Sequence, residues 1–236
     1  MENLRQDLEM LYELQSYDTK IDNLKKQIHQ ALLSIEQKKK DLQNKRIDFE
    51  GKKKSFVEIN SVRKEKEAVL NSKEELISKH SLELNKVKSN ETYKALFLEI
   101  DKIKADKNVV EDEVLQLLDT IDKEMLVIKN LEKDLQDFES KIKSDISEIE
   151  SLIESLKKEI VAVENSRQEQ ESKVSKSIFM QYERLREGRD GVGLVLVDGE
   201  SCGGCGMVLR PQLINQAQKA QELVFCDNCS RILFKR

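Results

Sequence analysis

A chain of 236 residues with 36% charged side chains, 5% aromatics and no tryptophan lacks the large apolar groups that fill a thick globular core. Its formal net charge of −4 favours neither nucleic acid nor an anionic membrane as a bulk electrostatic partner. Such a composition suits long helices with a narrow apolar seam flanked by Lys and Glu, and only hydrophobic periodicity separates that from disorder.

The N-terminal stretch MENLRQDLEMLYEL has neither the basic start nor the unbroken apolar run of a secretory signal. No segment approaches the roughly 20 apolar residues that cross a bilayer. The expected location is cytoplasmic, where thiols stay reduced and paired cysteines more often bind metal than form disulfides.

Steps of seven from Leu14 read Leu14, Ile21, Ile28, Ile35, Leu42, Phe49, Phe56, Arg63, Leu70, Ile77 and Leu84, ten of the eleven apolar. Steps from Ile100 read Ile100, Lys107, Val114, Ile121, Ile128, Leu135, Ile142, Ile149, Leu156 and Val163, nine of the ten apolar. Ile103, Val110, Leu117, Leu131, Phe138 and Leu152 complete the second seam. Heptads sustained this far mean supercoiled helices. In the first tract Lys38, Lys45, Lys52, Lys66 and Lys73 recur at the second seam position, where their methylenes lie along the seam and their ammonium groups reach water.

Between the tracts, in KVKSNETYKAL, the seam phase breaks, and Ser89 or Asn90 can cap a new helix. This predicts an antiparallel hairpin with its tip near residues 88–92 and arms of about 130 Å at 1.5 Å per residue. Residues whose numbers sum to about 181 should then lie side by side, by helix geometry alone. Lys38 should meet Asp145, and Leu4, Leu8 and Leu11 should return to Ile178, Phe179, Tyr182 and Leu185. The expected domains are the hairpin, residues 1–187, and a small C-terminal module, residues 188–236.

The run EGRDGVG ends the second helix, and GLVLV follows as a strand. Cys202-x-x-Cys205 and Cys226-x-x-Cys229 hold all 4 cysteines. This spacing is that of a tetrahedral structural zinc site built from two knuckles, with one Zn²⁺ per chain. Glycines 203, 204 and 206 let the first knuckle fold tightly, and Asn228 is expected to serve similarly in the second. Pro211 opens a short helix, PQLINQAQKA, while ELVF and RILF are strand-like. Val192, Leu194, Leu196, Val208, Leu213, Ile214, Leu223, Phe225, Ile232 and Leu233 form too small a core for such a module alone, so zinc should hold it folded. A disulfide or thioredoxin-like reading lacks its βαβ context, and a catalytic zinc would need an open coordination position. Iron would fit the same four thiolates. His29 and His80 read as ordinary helix residues.

Three stretches carry a resemblance: YKALFLEI from Tyr93 to Ile100, YERLR from Tyr182 to Arg186, and the cysteine pairs with Ser230, Arg231, Ile232 and Leu233. On these the chain resembles the bacterial coiled-coil proteins with a C-terminal four-cysteine zinc ribbon. The resemblance implies a β-rich zinc ribbon at the base of a helical hairpin and a non-enzymatic role. It also implies partners among flagellar or type III secretion components and the nitrogen-type alternative sigma factor, with nucleic-acid binding also proposed for the family. Thr92 replaces a more usual glutamate, and Ser230 a frequent glycine.

The function expected is that of an adaptor using the coil tip (Tyr93, Leu96, Phe97 and Ile100) and the ribbon (Arg210 and Arg231). The competing reading of the tip residues is that they cap the coil's own core. The alternative function is binding of RNA or single-stranded DNA through the ribbon and the basic stretch KKKDLQNKR to GKKKS. Against it, the ribbon's Arg210, Lys219, Arg231, Lys235 and Arg236 are nearly balanced by Asp198, Glu200, Glu222, Asp227 and the net −2 of a four-thiolate zinc. No nucleophile–base pair, phosphate loop or dinucleotide motif points to an enzyme; GRDGVG follows a helix rather than joining a strand to one. Monomer and dimer are both compatible with the pattern.

Overall fold

The computed structural model describes residues 2–236. By packing, the chain forms two units: residues up to 36 together with 146–236, and residues 37–145. Two long helices, α1 (Glu2–Leu84) and α2 (Asn90–Glu171), pass through both. The remaining elements all belong to the first unit: α3 (Lys176–Glu187), β1 (Leu194–Asp198), β2 (Ser201–Cys202), α4 (Pro211–Lys219), β3 (Val224–Phe225) and β4 (Ile232–Phe234). The chain is thus mostly α-helical, with a small strand region at its C-terminal end.

Within residues 37–145, α1 and α2 run antiparallel and the chain reverses at 85–89. The Tyr93 N–H donates to the Ser89 carbonyl at 3.0 Å, so Ser89 supplies the first acceptor of α2. Lys38–Asp145 (2.5 Å), Arg46–Glu139 (2.7 Å), Lys66–Glu113 (2.6 Å), Lys73–Asp106 (3.4 Å) and Glu74–Lys107 (2.8 Å) tie the helices together. Each pair falls within about one helical turn of the expected register. The hydrogen bond from Lys38 holds the Asp145 carboxyl below its ordinary range. The Lys45 ammonium stands over the Phe138 ring at 4.5 Å, a cation–π contact. Of the lysines in the first seam, then, Lys38, Lys45, Lys66 and Lys73 all meet a partner on α2.

In the other unit, the first part of α1 packs on the last part of α2 through Ile21 and Leu24 against Leu156, Ile160 and Val163. The seam departs from the strict heptad here. Leu152 is 52% exposed and Ile153, at 6%, takes its place. A helix of 3.6 residues per turn drifts against a seven-residue repeat, and after Ile149 the second seam position moves one residue on.

The second arm is also not one helix to residue 187. It breaks at 172–175 before α3 begins. Asp7 of α1 accounts for the break: its carboxylate accepts the Ser175 N–H at 3.1 Å and the Ser175 hydroxyl at 2.6 Å, while Val174 drops into the core. The Ser175 carbonyl in turn accepts from Ile178 and Phe179, opening α3.

The strands form one sheet in the order β2-β1-β4-β3, with β1 and β4 parallel and the outer pairs antiparallel. Alternation along each strand divides the core in two. Leu194 of β1 and Ile232 and Phe234 of β4 pack with Leu8, Leu11 and Leu14 of α1 and with Val174, Ile178 and Tyr182. Val195 of β1 and Leu233 of β4 face the other way, onto Cys202, Cys226, Cys229, Leu209, Ala217 and Val224. The expected return of the N-terminal leucines to Ile178, Phe179, Tyr182 and Leu185 is realised, with the sheet joining them.

Polar side chains of α1 fix this docking. The Gln15 amide donates to the Leu194 carbonyl at 2.7 Å, and its oxygen accepts from the Gly193 and Leu194 N–H groups at 2.9 and 2.8 Å. Asp18, 1% exposed, accepts from Arg167 Nε at 2.7 Å and from the Tyr182 hydroxyl at 2.8 Å, with Arg186 Nη1 at 3.4 Å. Arg167 also pairs with Glu171 and Glu183, and Arg186 with Asp22. At the edge, the Arg236 guanidinium lies 4.6 Å from the Tyr12 ring centroid and Arg5 donates to the Gln218 carbonyl.

Burial, reinforced by the neighbouring Asp18 charge, pushes the Tyr182 hydroxyl pKa well above the ordinary tyrosine range. The folded protein holds this proton more tightly than the unfolded chain. Tyr182 therefore contributes its full stability below about pH 10 and loses it as the pH rises beyond, where only the unfolded tyrosine ionises. Urea unfolding should show stability falling above about pH 10, with a shallower fall in Tyr182→Phe; identical slopes would contradict the coupling.

Candidate metal centre

The two cysteine pairs sit on matching turns at the same side of the sheet. In the first, the Gly206 N–H donates to the Cys202 carbonyl at 2.8 Å and the Cys202 N–H to the Met207 carbonyl at 2.9 Å. In the second, the Ser230 N–H donates to the Cys226 carbonyl at 2.8 Å and the Cys226 N–H to the Arg231 carbonyl at 2.9 Å. The pattern requires a left-handed residue immediately after the second cysteine: Gly206 has φ 73° and Ser230 φ 60°. Asn228, expected to take the glycine-like role, does not adopt a positive φ. Its amide instead hydrogen-bonds the Cys205 sulfur. Gly203 is needed for a different reason: a Cβ there would stand 2.6 Å from the Leu196 carbonyl oxygen, which its N–H approaches.

All four sulfur atoms lie within 4.8 Å of one another, with Cys202–Cys229 at 3.7 Å and Cys205–Cys226 at 3.8 Å. A tetrahedron of Zn–S bonds near 2.3 Å has edges of about 3.8 Å, so the four thiolates suit one structural zinc. The same separations are far beyond disulfide bonding, and the cysteines are free thiols. Burial pushes the Cys202 thiol up to about 12 and raises Cys226. Cys205, more open and receiving the Asn228 amide and the Met207 N–H, is drawn down to about 6. Metal uptake must therefore strip protons from buried thiols, and zinc affinity falls as the pH falls.

The residues around the centre are mostly engaged within the fold. Arg210 pairs with Asp227 at 2.7 Å, bridging the approach to α4 and the second knuckle. Arg231 donates from Nε to the Val192 carbonyl at 3.0 Å and from Nη2 to the Arg189 carbonyl at 3.1 Å, holding the turn that follows α3. Two residues expected in the ribbon core stand outside it: Val208 is 73% exposed and Phe225 is also exposed, because each lies on the outer side of a short edge segment. The other expected strands and the short helix are present as read.

The four tip candidates separate. Ile100, 4% exposed, is buried and Leu96 half-buried, both on the seam side of α2. Tyr93 and Phe97, 46% and 47% exposed, stay open to solvent with Leu98, which is 68% exposed and is absent from the sequence reading of the tip. Sequence reasoning also missed Asp7, Gln15 and Asp18. The available signal was the spacing itself: Leu11, Leu14, Asp18 and Ile21 continue the seam steps, so Asp18 occupies a core position and demands a buried partner.

Residues 201–233 match the C4-type zinc ribbon domain family. Among curated proteins nothing matches the chain. Solved structures resemble it over its whole length. CT398 from Chlamydia trachomatis is 22% identical, with 100% of both chains covered and a TM-score of 0.89. HP0958 from Helicobacter pylori is 20% identical, with 98% of both covered and a TM-score of 0.62. A Mycobacterium smegmatis structure is 12% identical, with 98% of both covered and a TM-score of 0.77. At these identities the likeness is one of fold.

Because the sheet faces both the zinc knuckles and α1, metal removal should release more than the ribbon. Elemental analysis should give one zinc per chain. Chelation should abolish hydrogen-exchange protection in β1 and β4 and weaken it in the first turns of α1, while residues 37–145 keep theirs. A metal-free protein with a protease-resistant ribbon would contradict the structural role. Ser230→Gly should relieve the left-handed strain and stabilise the zinc-loaded protein by about 1 kcal/mol, read as a higher urea midpoint; a destabilised variant would show that the turn tolerates serine without strain.

Proposed function

We propose that the protein is a non-enzymatic adaptor whose ribbon is held folded by zinc and which engages protein partners through the coil tip and the ribbon. The observation that carries this reading is the exposed cluster of Tyr93, Phe97 and Leu98, large apolar side chains at the start of α2 that the intrachain packing leaves open. A closed shell of four thiolates supports it from the other side, since it leaves no coordination position for a reacting water. Each of the two packing units thus offers one surface: the apolar tip in one, the zinc ribbon in the other.

The resemblance to bacterial coiled-coil zinc-ribbon proteins suggests where the partners lie: flagellar or type III secretion components, and the nitrogen-type alternative sigma factor. Fold alone does not carry a partner from one protein to another, so these are candidates to be tested individually. No helix among the described residues is long and apolar enough to cross a membrane.

The nucleic-acid alternative loses ground at the ribbon. Arg210 and Arg231 are tied to Asp227 and to backbone carbonyls, and Phe234 is buried, which leaves Phe225 as the accessible ring. Affinity purification of the zinc-loaded protein from its native cell, after nuclease treatment, should recover a defined set of proteins. Recovery that disappears with the RNA would replace the adaptor reading with the nucleic-acid one.

A further inference from the structure

The geometry points to an acidic, amphipathic helix of a partner protein as the occupant of the tip patch. The inference rests on the adaptor reading and gives its tip surface a chemistry. Tyr93 with Phe97, and Lys94 with Leu98, are two neighbouring pairs four residues apart, so the four adjoin and line a shallow hollow of about 330 Å³. Ile100 is buried and Leu96 half-buried, whereas Tyr93, Phe97 and Leu98 stay exposed, so the patch is apolar surface that the intrachain packing leaves open. Aromatic rings such as these two, held on a helix, are enriched where proteins bind one another, and tyrosine is among the residues that dominate binding energy.

Charge selects the occupant. Between residues 86 and 98 stand Lys86, Lys88 and Lys94 against Glu91 alone. None of the three lysines has an ion pair among the described residues, in contrast to Lys38, Lys66 and Lys73 of the coil seam, each of which pairs with a carboxylate on α2. A second copy of this chain would bring the same unpaired lysines to the patch and be repelled. A partner with carboxylates beside its apolar stripe would be attracted and oriented. Only helices are present in residues 37–145, so no sheet edge is available there for an extended peptide to join. A helix laid across the face satisfies both the spacing and the charge. Its acidic flank lies toward the loop lysines and away from Asp101, one turn beyond Leu98.

The test uses the full-length, zinc-loaded chain and two synthetic amphipathic peptides with the same Leu/Phe stripe, one flanked by glutamates and the other by lysines. Fluorescence anisotropy should show saturable binding of the acidic peptide and binding at least about tenfold weaker for the basic one. Phe97→Ser with Leu98→Ser should weaken the acidic peptide at least about tenfold. Charge reversal of Lys86, Lys88 and Lys94 should weaken it several-fold and remove its salt dependence. Leu126→Ser, equally exposed on the same helix but outside the patch, should leave binding unchanged, and circular dichroism should show every variant as helical as the parent. The inference is overturned if neither peptide binds, if both bind alike, if the Phe97/Leu98 variant binds undiminished, or if a single-stranded RNA binds the patch more tightly than the acidic peptide. Partners that survive nuclease treatment and are still recovered by the Phe97/Leu98 variant would leave the adaptor reading standing and remove this one.

Discussion

A carboxylate taken out of water costs several kcal/mol unless cations and donors surround it, and Asp18 on α1 is such a carboxylate. Its three partners come from two helices: Arg167 near the end of α2, and Tyr182 and Arg186 on α3. None of these can be satisfied unless the end of α2 and the whole of α3 come together on the start of α1. The apolar contacts of Leu8, Leu11 and Leu14 would tolerate a helix sliding by a turn; a buried ion with directional partners does not. The same logic applies to Gln15, whose amide behaves like a one-residue strand beside Gly193 and Leu194. Together they fix the register at which the sheet meets the coil.

The sheet then links two sources of stability that are usually separate. On one face it is held by helix side chains, on the other by the metal knuckles. Neither face alone buries much: the ribbon strands are two to five residues long. Thiolate–metal bonds hold one side in place while aliphatic packing covers the other, and the loss of either leaves a strand pair with half its support.

Much of this was legible in the chain. The heptads gave two antiparallel helices and their register, down to Lys38 opposite Asp145, because hydrophobic period and helix rise are the only quantities needed. The cysteine pairs gave the metal site, because two CxxC pairs at this separation match the two knuckles of a four-thiolate site. What stayed hidden depends on long-range partners. The break at 172–175 is a response to Asp7, some 168 residues away in sequence, and nothing local forbids the helix from continuing. Ser230 stood out as a departure from a glycine, but only the backbone shows that it must turn left-handed where Asn228 need not. The drift from Leu152 to Ile153 is a geometric mismatch too small to see in a repeat count.

The pairing of Leu8, Leu11 and Leu14 with Ile232 and Phe234 has a consequence for how the chain is made. These leucines leave the ribosome more than two hundred residues before Ile232 and Phe234, which complete their cover. At about 5–20 residues per second they remain incompletely covered for roughly 10 to 40 s, during which an apolar stripe on a nascent helix is open to wrong partners. The charged residues that crowd the rest of that helix are then more than a solvated surface: they keep the emerging segment soluble until the last strand arrives to close over it.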